Sequence, residues 1–286
     1  MKLITPFDPW RGKLCTCPEK YTFSPYVGCG HKCVYCYITS YIPNAFQPRA
    51  KTFTLPQIGK ELKKLDKSKP ISIANSSDPY TPWEARRLLM REVLPVFIRE
   101  GFKLLIVTKS ALVARDIDIL SKGRVCVSIT VTTLNERVSN RLEPYAPSPV
   151  SRLRALEALS RAGIPTMVRL DPLVPGANDD WDSVRAVLKA ASEAGVRQVT
   201  TSTYKAKPDN FSRILKVFPE LKENLKDVYS QGEHIGRSTY MPQNLRRELV
   251  LMVREVAEEL SMSFASCREG FPELHIAEAC DGSHML

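Results

Sequence analysis

Residues 26–37 read Tyr26-Val-Gly-Cys29-Gly-His-Lys-Cys33-Val-Tyr-Cys36-Tyr37 and place three cysteines in the spacing C-x3-C-x2-C. Because the loop is short, three thiolates can converge on one side of a compact metal centre. A closed structural zinc or iron–sulfur site normally has four protein ligands, and no fourth cysteine follows nearby. The motif therefore predicts that Cys29, Cys33 and Cys36 bind a [4Fe–4S] cluster whose fourth iron stays open to a small molecule.

The alternative for this loop is a zinc site completed by His31 or by a distant residue. Zinc ribbons use two C-x2-C pairs, whereas this chain has one such pair, Cys33 with Cys36. The spacing, and the position of the loop directly after an expected strand, favour the cluster.

The composition is that of an ordinary globular protein. The 286 residues are 43% hydrophobic and 25% charged, and 41 Lys and Arg against 31 Asp and Glu give a net charge of +10. These values exclude wholesale disorder, and no apolar run approaches the roughly 18–20 residues of a membrane helix. With no signal-like N-terminus, we expect a cytoplasmic protein with no membrane partner, whose eight cysteines serve metal binding or catalysis rather than disulfides. The excess positive charge permits an anionic partner such as nucleic acid.

Short apolar runs alternate with amphipathic helical stretches along most of the chain. We expect strands at 22–26, 71–74, 103–108, 125–132, 165–170 and 198–202, an apolar segment at 262–265, and helices at 83–98, 111–120, 150–162, 179–194 and 244–260. Repeated β-then-α units imply parallel strands joined by right-handed crossovers. The pattern therefore predicts an α/β fold, a partial (β/α)6 TIM-type barrel, with a doubly wound sheet as the alternative.

No linker or internal repeat divides the chain into large domains. We expect an N-terminal extension at 1–20, the barrel at 21–265 and a C-terminal tail at 266–286 packed on the barrel. The loops that leave the carboxyl ends of the strands share one face of such a fold, and we expect the chemistry there.

The cysteine loop resembles the radical S-adenosylmethionine (SAM) superfamily, in the branch that contains spore photoproduct lyase and DNA repair photolyase-like proteins. The stretches that carry this resemblance are 24–29, 35–37, 77–84, 108–110, 114–116, 128–130, 141–144 and 169–176. The resemblance covers roughly residues 20–205 and implies the barrel of the radical SAM kind. It also implies an enzyme in which a [4Fe–4S] cluster reductively cleaves SAM to a 5′-deoxyadenosyl radical that abstracts hydrogen from a substrate.

The resemblance implies contacts to the methionine part of SAM after the second and third strands. Ser76, Ser77 and Asp78 occupy the place that holds the methionine amino group, for which oxygen acceptors are suited. Lys109 is expected to pair with the carboxylate as a point charge. The alternatives are structural, because Asp78-Pro-Tyr is also an ordinary turn and Lys109 also fits as a cap on a strand end.

Further roles are implied for the adenosine part of SAM and for the radical. Tyr35 is expected near the adenine, and Ser128 and Thr130 are placed to hydrogen-bond the ribose hydroxyls. Arg169, on the fifth strand, would serve a carboxylate or a phosphate. Tyr35 and Tyr37 match the tyrosine pair of the lyase, which would relay a radical, and are therefore the candidate catalytic residues. The structural alternative for Ser128 and Thr130 is that alternating Ser and Thr on a strand face solvent or pack against neighbours.

One position departs from the lyase pattern. The lyase carries a cysteine that returns a hydrogen atom to the product radical, and this chain has Asn75 in its place. Asn75 cannot donate a hydrogen atom, so the lyase reaction itself is not implied. Cys126 is a candidate substitute, but a buried cysteine in an apolar strand is usually a small core residue.

The resemblance and the charge imply a nucleic acid substrate, with lyase-like lesion repair or base modification as the reaction. A protein, a peptide or a small metabolite is the alternative substrate. The alternative outside the enzymes is a zinc-binding interaction protein. The cluster would need an electron donor of the flavodoxin or ferredoxin type.

Four further cysteines lie near the two ends of the chain, and they are Cys15, Cys17, Cys267 and Cys280. Four thiolates suffice for a second iron–sulfur cluster or a zinc ion, and unpaired reduced thiols are the alternative. Convergence requires the tail to wrap around the barrel or the N-terminal segment to double back.

A set of basic and aromatic residues predicts a surface that binds phosphates and stacks bases. Its members are Arg86, Arg87, Arg91, Lys205, Lys207, Arg237, Arg246, Arg247, Tyr80, Trp83, Tyr204 and Tyr240. A solvated basic face is the alternative.

Overall fold

The computed structural model describes residues 2–7 and 12–286. The strands in this part of the chain are β1 (Thr5–Pro6), β2 (Tyr21–Phe23), β3 (Tyr26–Val27), β4 (Arg49–Ala50), β5 (Ile71–Ile73), β6 (Leu104–Thr108), β7 (Val125–Thr130), β8 (Thr166–Leu173), β9 (Gln198–Thr203), β10 (Glu233–Ile235), β11 (Ser238–Tyr240) and β12 (Ser263–Ser266). The helices are α1 (Leu55–Leu62), α2 (Glu84–Arg87), α3 (Leu89–Arg99), α4 (Ile117–Leu120), α5 (Glu136–Leu142), α6 (Pro149–Arg161), α7 (Trp181–Glu193), α8 (Pro208–Val217), α9 (Lys222–Ser230) and α10 (Gln243–Glu259).

The main sheet has the strand order β1-β2-β5-β6-β7-β8-β9-β12. From β2 to β12 every neighbouring pair is parallel, and β1 adds to β2 in the antiparallel direction. The parallel strands follow one another in chain order, whereas a doubly wound sheet reverses its order at a switch point. The predicted partial barrel is therefore confirmed, and β12 adds a parallel strand where the sequence showed an apolar segment. The domain boundaries at 20 and 265 stay a prediction.

Several helices differ from the expectation. The single helix expected at 83–98 is two helices, because Leu88 has a left-handed φ of 57° between them. The Glu84 carboxylate accepts a hydrogen bond from the Met90 amide across this break (3.1 Å) and so starts the second helix. The segment at 111–120 begins as a 3-10 helix, Ala111–Asp116. Helices α1, α5, α8 and α9 were not foreseen, and none of the helices described is both long and apolar enough to cross a membrane.

Alternation along the strands separates the core from the barrel interior. In β7, Val125, Val127 and Ile129 belong to the large core that packs against the helices. Cys126, on the opposite face, packs with Leu105 and Met167 and with the C-terminal residues Met285 and Leu286. The even-numbered residues of β7 thus face the barrel interior, which places Ser128 and Thr130 inside.

Candidate active site

The cysteine loop follows β3 and is turned tightly at its start. Gly28 has a φ of +78°, and a Cβ there would lie 2.6 Å from the Ala45 carbonyl oxygen. The Cys29 amide donates to that same oxygen (2.8 Å), and the Cys36 amide donates to the Cys33 carbonyl (3.1 Å). A glycine is therefore required before the first cysteine, because the backbone approaches a neighbouring segment too closely for a side chain.

Two side chains of α8 hold the loop backbone from outside. Arg213 donates to the carbonyls of Val34 (3.0 Å) and Cys36 (2.8 Å), and Asn210 donates to that of Tyr35 (3.1 Å). These contacts fix the peptide groups around the last cysteine. No sequence pattern indicated these contacts, because α8 itself was not predicted and lies far along the chain from the loop.

The three loop thiols are free and form the donor set that an iron–sulfur cluster requires. Burial raises the pKa of Cys29, Cys33 and Cys36. Three thiols from one loop are the donor set of a cluster that keeps one iron open, whereas a closed zinc site takes a fourth protein ligand. The donor set therefore fits the cluster.

Tyr35 is anchored by a buried ion pair that the sequence did not single out. Its hydroxyl donates to the carboxylate of Glu143, and the other oxygen of Glu143 lies 2.5 Å from Arg152 Nη1. Arg152 also donates to the Thr130 carbonyl (3.0 Å). Glu143 lies in the stretch 141–144, which carries part of the family resemblance. That stretch was the available sequence signal for Glu143, but the resemblance implied no role for this residue.

Asp78 is buried and already has several hydrogen-bond partners. Its oxygens accept hydrogen bonds from the Thr108 hydroxyl (2.6 Å), the Lys109 amide (2.8 Å) and the Tyr80 amide (2.8 Å). Nε2 of His31, inside the cysteine loop, lies 3.3 Å from the second carboxylate oxygen. Asp78 thus joins the loop to the end of β6, and its role toward the methionine amino group stays a prediction.

The other predicted residues around β5 differ in their exposure and in the hydrogen bonds that they form. The Ser77 hydroxyl donates to the Tyr26 carbonyl (3.0 Å), while Ser76 is half-buried. Tyr37 is 40% exposed, and its hydroxyl donates to the Asn75 carbonyl (2.6 Å). The structure therefore places the Tyr37 hydroxyl against the backbone of Asn75.

Lys109 lies beside the loop, with Nζ 5.4 Å from the centre of the Tyr35 ring. Burial opposes its charged form, but the neighbouring acidic groups Cys33, Glu143 and Asp171 outweigh that effect and raise the pKa of Lys109. A lysine so placed keeps its charge and can pair with a carboxylate.

The barrel interior presents polar groups below the loop. Ser128 and Thr130 are buried, and the Ser128 hydroxyl has no hydrogen-bond partner in the structure. A buried hydroxyl without a partner is unfavourable, so a bound ligand with a polar group fits there. Arg169 is paired with Asp171 (2.8 Å), which also accepts from the Ser202 hydroxyl (2.5 Å).

The prediction of a basic and aromatic surface is wrong for several of its residues. Tyr80, Tyr204, Tyr240 and Arg246 are at most 2% exposed, because their apolar parts pack in the interior. Lys205 is tied to Glu269 (2.7 Å). Arg91 is paired with Asp116 and Asp118, whereas Trp83, Arg86, Arg87, Arg237 and Arg247 are exposed and Lys207 is half-buried.

An open groove of about 720 Å³ lies beside the cysteine loop. It is lined by Gly30, Lys32, Phe46, Gln47, Pro48, Arg49, Pro82, Trp83 and Tyr145. Trp83 is 45% exposed and Tyr145 59% exposed. The Arg87 guanidinium lies 5.7 Å from the Trp83 ring, and Lys32 Nζ lies 4.6 Å from that of Tyr145. Sequence reasoning found Trp83 and Arg87 but missed the others, because the cysteine loop and the segment before α6 meet only in the fold.

The remaining cysteines fall into two groups. Cys126 is buried in the barrel interior among apolar residues, as expected of a core residue. Cys17 and Cys280, from the two ends of the chain, are in contact, with their sulfurs 3.4 Å apart.

Comparison with known proteins matches this architecture. The sequence profile described as the radical SAM superfamily matches residues 23–187. An uncharacterized protein of Acidianus two-tailed virus is 28% identical over 234 residues, which are 72% of this chain and 76% of that protein. The radical SAM Nα-GlyT isomerase of Pseudomonas phage M6 is 24% identical over 259 residues, which are 86% of this chain and 53% of that enzyme.

Among solved structures, a mutant spore photoproduct lyase with bound AdoMet and dinucleoside spore photoproduct has a TM-score of 0.72. The two chains are 16% identical, and the superposition covers 90% of this chain and 78% of that one. At this identity the likeness establishes the fold, and the profile match over residues 23–187 establishes the family.

Proposed function

This chain belongs to the radical SAM superfamily and is an enzyme, and on that premise we propose that it removes a hydrogen atom from a nucleic acid to repair or modify a base. Membership of the superfamily implies a [4Fe–4S] cluster and SAM. When bound and reduced, these cofactors supply the 5′-deoxyadenosyl radical that takes the hydrogen. The protein binds and orients the cofactors, keeps out water and selects the substrate.

Cys29, Cys33 and Cys36 would hold the cluster, and the absence of a fourth ligand in the motif leaves one iron for SAM. Thiols must be deprotonated to bind metal, and the iron supplies the positive charge that offsets the unfavourable burial of their thiolates. Arg213 and Asn210 would keep the loop carbonyls in place while the cluster enters.

The polar groups around the loop would orient SAM. The free Ser128 hydroxyl supports hydrogen bonding to the ribose, and the charge retained by Lys109 supports pairing with the SAM carboxylate. Tyr35, fixed by Glu143, presents its ring beside Lys109 for contact with the adenine. The exposed Tyr37 is the group proposed to relay the radical between SAM and the substrate.

The groove beside the cysteine loop is the observation that carries the proposed substrate class. It combines exposed aromatic rings, Trp83 and Tyr145, with the cations Lys32, Arg49 and Arg87. Aromatic rings stack on bases and cations contact phosphates, which is the composition of a single-strand binding surface. The net charge of +10 favours approach of a polyanion.

Fluorescence anisotropy with labelled single-stranded DNA and RNA at several salt concentrations tests this proposal. Binding should weaken as salt rises, and Trp83→Ala should lower affinity by about 5- to 150-fold, since stacking is worth about 1–3 kcal/mol per base. Trp181→Ala is the matched control, because Trp181 is 39% exposed and lies on α7, outside the groove. Equal loss in both variants would remove the groove as the binding surface, and no salt-sensitive binding to either nucleic acid would remove nucleic acid as the substrate.

A further inference from the structure

Four cysteines outside the cysteine loop come together where the two ends of the chain meet. Cys17 and Cys280 are 263 positions apart in sequence, yet their sulfurs are 3.4 Å apart. Cys15 lies two residues before Cys17, and Cys267 lies two residues after Ala265, which packs with Cys280 and Cys17 in one cluster. All four thiols are free, so the structure brings together the chain segments that carry four candidate ligands.

The cluster of thiols bridges the open side of the barrel. Cys15 and Cys17 precede β2, next to the β1 edge of the sheet, and Cys267 directly follows β12 at the other edge. Inside the barrel, the Thr200 hydroxyl donates to the Cys280 carbonyl (2.7 Å). This hydrogen bond fixes the backbone of Cys280 against β9.

A buried cation stands beside these thiols. Lys20, three residues after Cys17, is 5% exposed and is paired with Asp281, which directly follows Cys280. This buried ion pair holds the segment that carries Cys17 against the segment that carries Cys280.

We propose that Cys15, Cys17, Cys267 and Cys280 bind a second metal centre. This centre is either a zinc ion or a small iron–sulfur cluster in which two of the cysteine sulfurs bind the same iron atom. Tetrahedral zinc with Zn–S bonds of about 2.3 Å sets its sulfurs about 3.8 Å apart, close to the 3.4 Å between Cys17 and Cys280. A disulfide would need about 2.05 Å. The thiols, like those of the cysteine loop, do not yet surround one point. A cysteine side chain can rotate about its Cα–Cβ bond, so the four sulfurs could surround a metal by side-chain rotation alone.

This second centre joins the N-terminal segment to the C-terminal tail and closes the barrel opening. It is independent of the reaction proposed above, because its ligands are separate from Cys29, Cys33 and Cys36. Loss of one centre should therefore leave the other loaded.

Metal analysis of three anaerobically purified proteins tests the proposal. The wild type should hold metal at both centres, Cys29→Ser/Cys33→Ser/Cys36→Ser should keep the second centre alone, and Cys17→Ser/Cys280→Ser should keep the loop iron alone. About one zinc per chain in the loop variant identifies a zinc ion, and iron with acid-labile sulfide identifies a cluster. Cys126→Ala is the control and should lose neither, since Cys126 packs among apolar residues.

A second measurement covers the case in which Cys17→Ser/Cys280→Ser fails to fold. A chelator titration of the loop variant should release the second metal and lower its melting temperature together. The proposal is overturned if the loop variant binds no metal, or if mass spectrometry of the unreduced wild type shows a Cys17–Cys280 disulfide. Neither result bears on the loop cluster, whose iron is counted separately.

Discussion

The hydroxyl of Tyr35 donates a hydrogen bond to the carboxylate of Glu143. Tyr35 lies between two loop cysteines and Glu143 directly follows α5, so this bond ties the cysteine loop to the helical layer. Arg152, 1% exposed, neutralises Glu143 from the other side. The position of the loop thus depends on a buried charge pair.

Glu143→Gln should destabilise the protein by about 3–5 kcal/mol, because it leaves the buried Arg152 without a counter-charge. Urea unfolding of the cluster-free protein measures this loss. Glu220→Gln is the control, since Glu220 pairs with Arg141 on the exposed surface and its removal should change little. A similar small effect for both variants would show that the buried pair does not support the fold.

Arg213→Ala should weaken cluster retention by about 10- to 100-fold, the usual cost of losing a residue that positions metal ligands. The guanidinium holds two loop carbonyls at once, so Arg213→Lys should not restore retention. The rate of iron release to a chelator measures the effect. Arg161→Ala, on the exposed end of α6, is the control and should behave as the wild type. Full rescue by lysine would contradict the account.

Ser128→Ala should weaken SAM binding by about 2- to 10-fold, the value of one hydrogen bond, without lowering the melting temperature. The reason is that the Ser128 hydroxyl has no partner within the protein. Thr201→Val should show the opposite pattern, because the Thr201 hydroxyl donates to the Leu170 carbonyl (2.7 Å). Anaerobic calorimetry of the cluster-loaded proteins separates the two. Unchanged SAM affinity in Ser128→Ala would remove Ser128 from the SAM site.

The free energy of unfolding should fall in acid because two buried carboxyl groups and one half-buried one are held ionised. Burial alone would raise the pKa of Asp78, Glu143 and Asp171, but His31, Arg152 and Arg169 respectively, together with hydrogen bonds, lower each of them. Their stabilisation is present above the ordinary carboxyl values near 4 and is lost as pH falls through the lower folded values.

Urea unfolding of cluster-free protein between about pH 6 and about pH 3 tests this effect. Asp78→Asn should flatten the decline relative to the wild type, since one of the titrating groups is gone. An equally steep decline in that variant would mean that Asp78 titrates with its ordinary pKa.

The sequence predicted the barrel and the cysteine loop because both depend on local patterns. Alternating β and α units and the spacing of Cys29, Cys33 and Cys36 are visible within short stretches. Because side chains alternate along a strand, Ser128 and Thr130 of β7 were likewise expected on one face of the sheet.

Contacts between distant segments were not visible in the same way. Arg213 reaches the loop over more than 170 positions, and no local pattern encodes such a contact. Tyr80, Tyr204 and Tyr240 were wrongly expected at the surface, because residue type alone does not reveal which side of a strand or loop packs inward. The hydrogen-bond partners that the fold gives Asp78 were likewise not visible in the sequence, and its expected role beside the methionine amino group stays a prediction.

The most direct test of the central claim is anaerobic incubation of the cluster-loaded, dithionite-reduced enzyme with SAM, followed by chromatography for 5′-deoxyadenosine. The account predicts that 5′-deoxyadenosine forms with the wild type and not with Cys29→Ser/Cys33→Ser/Cys36→Ser, and that deuterium from a labelled oligonucleotide enters it. Intact SAM and no 5′-deoxyadenosine from a protein with its full loop iron would contradict it.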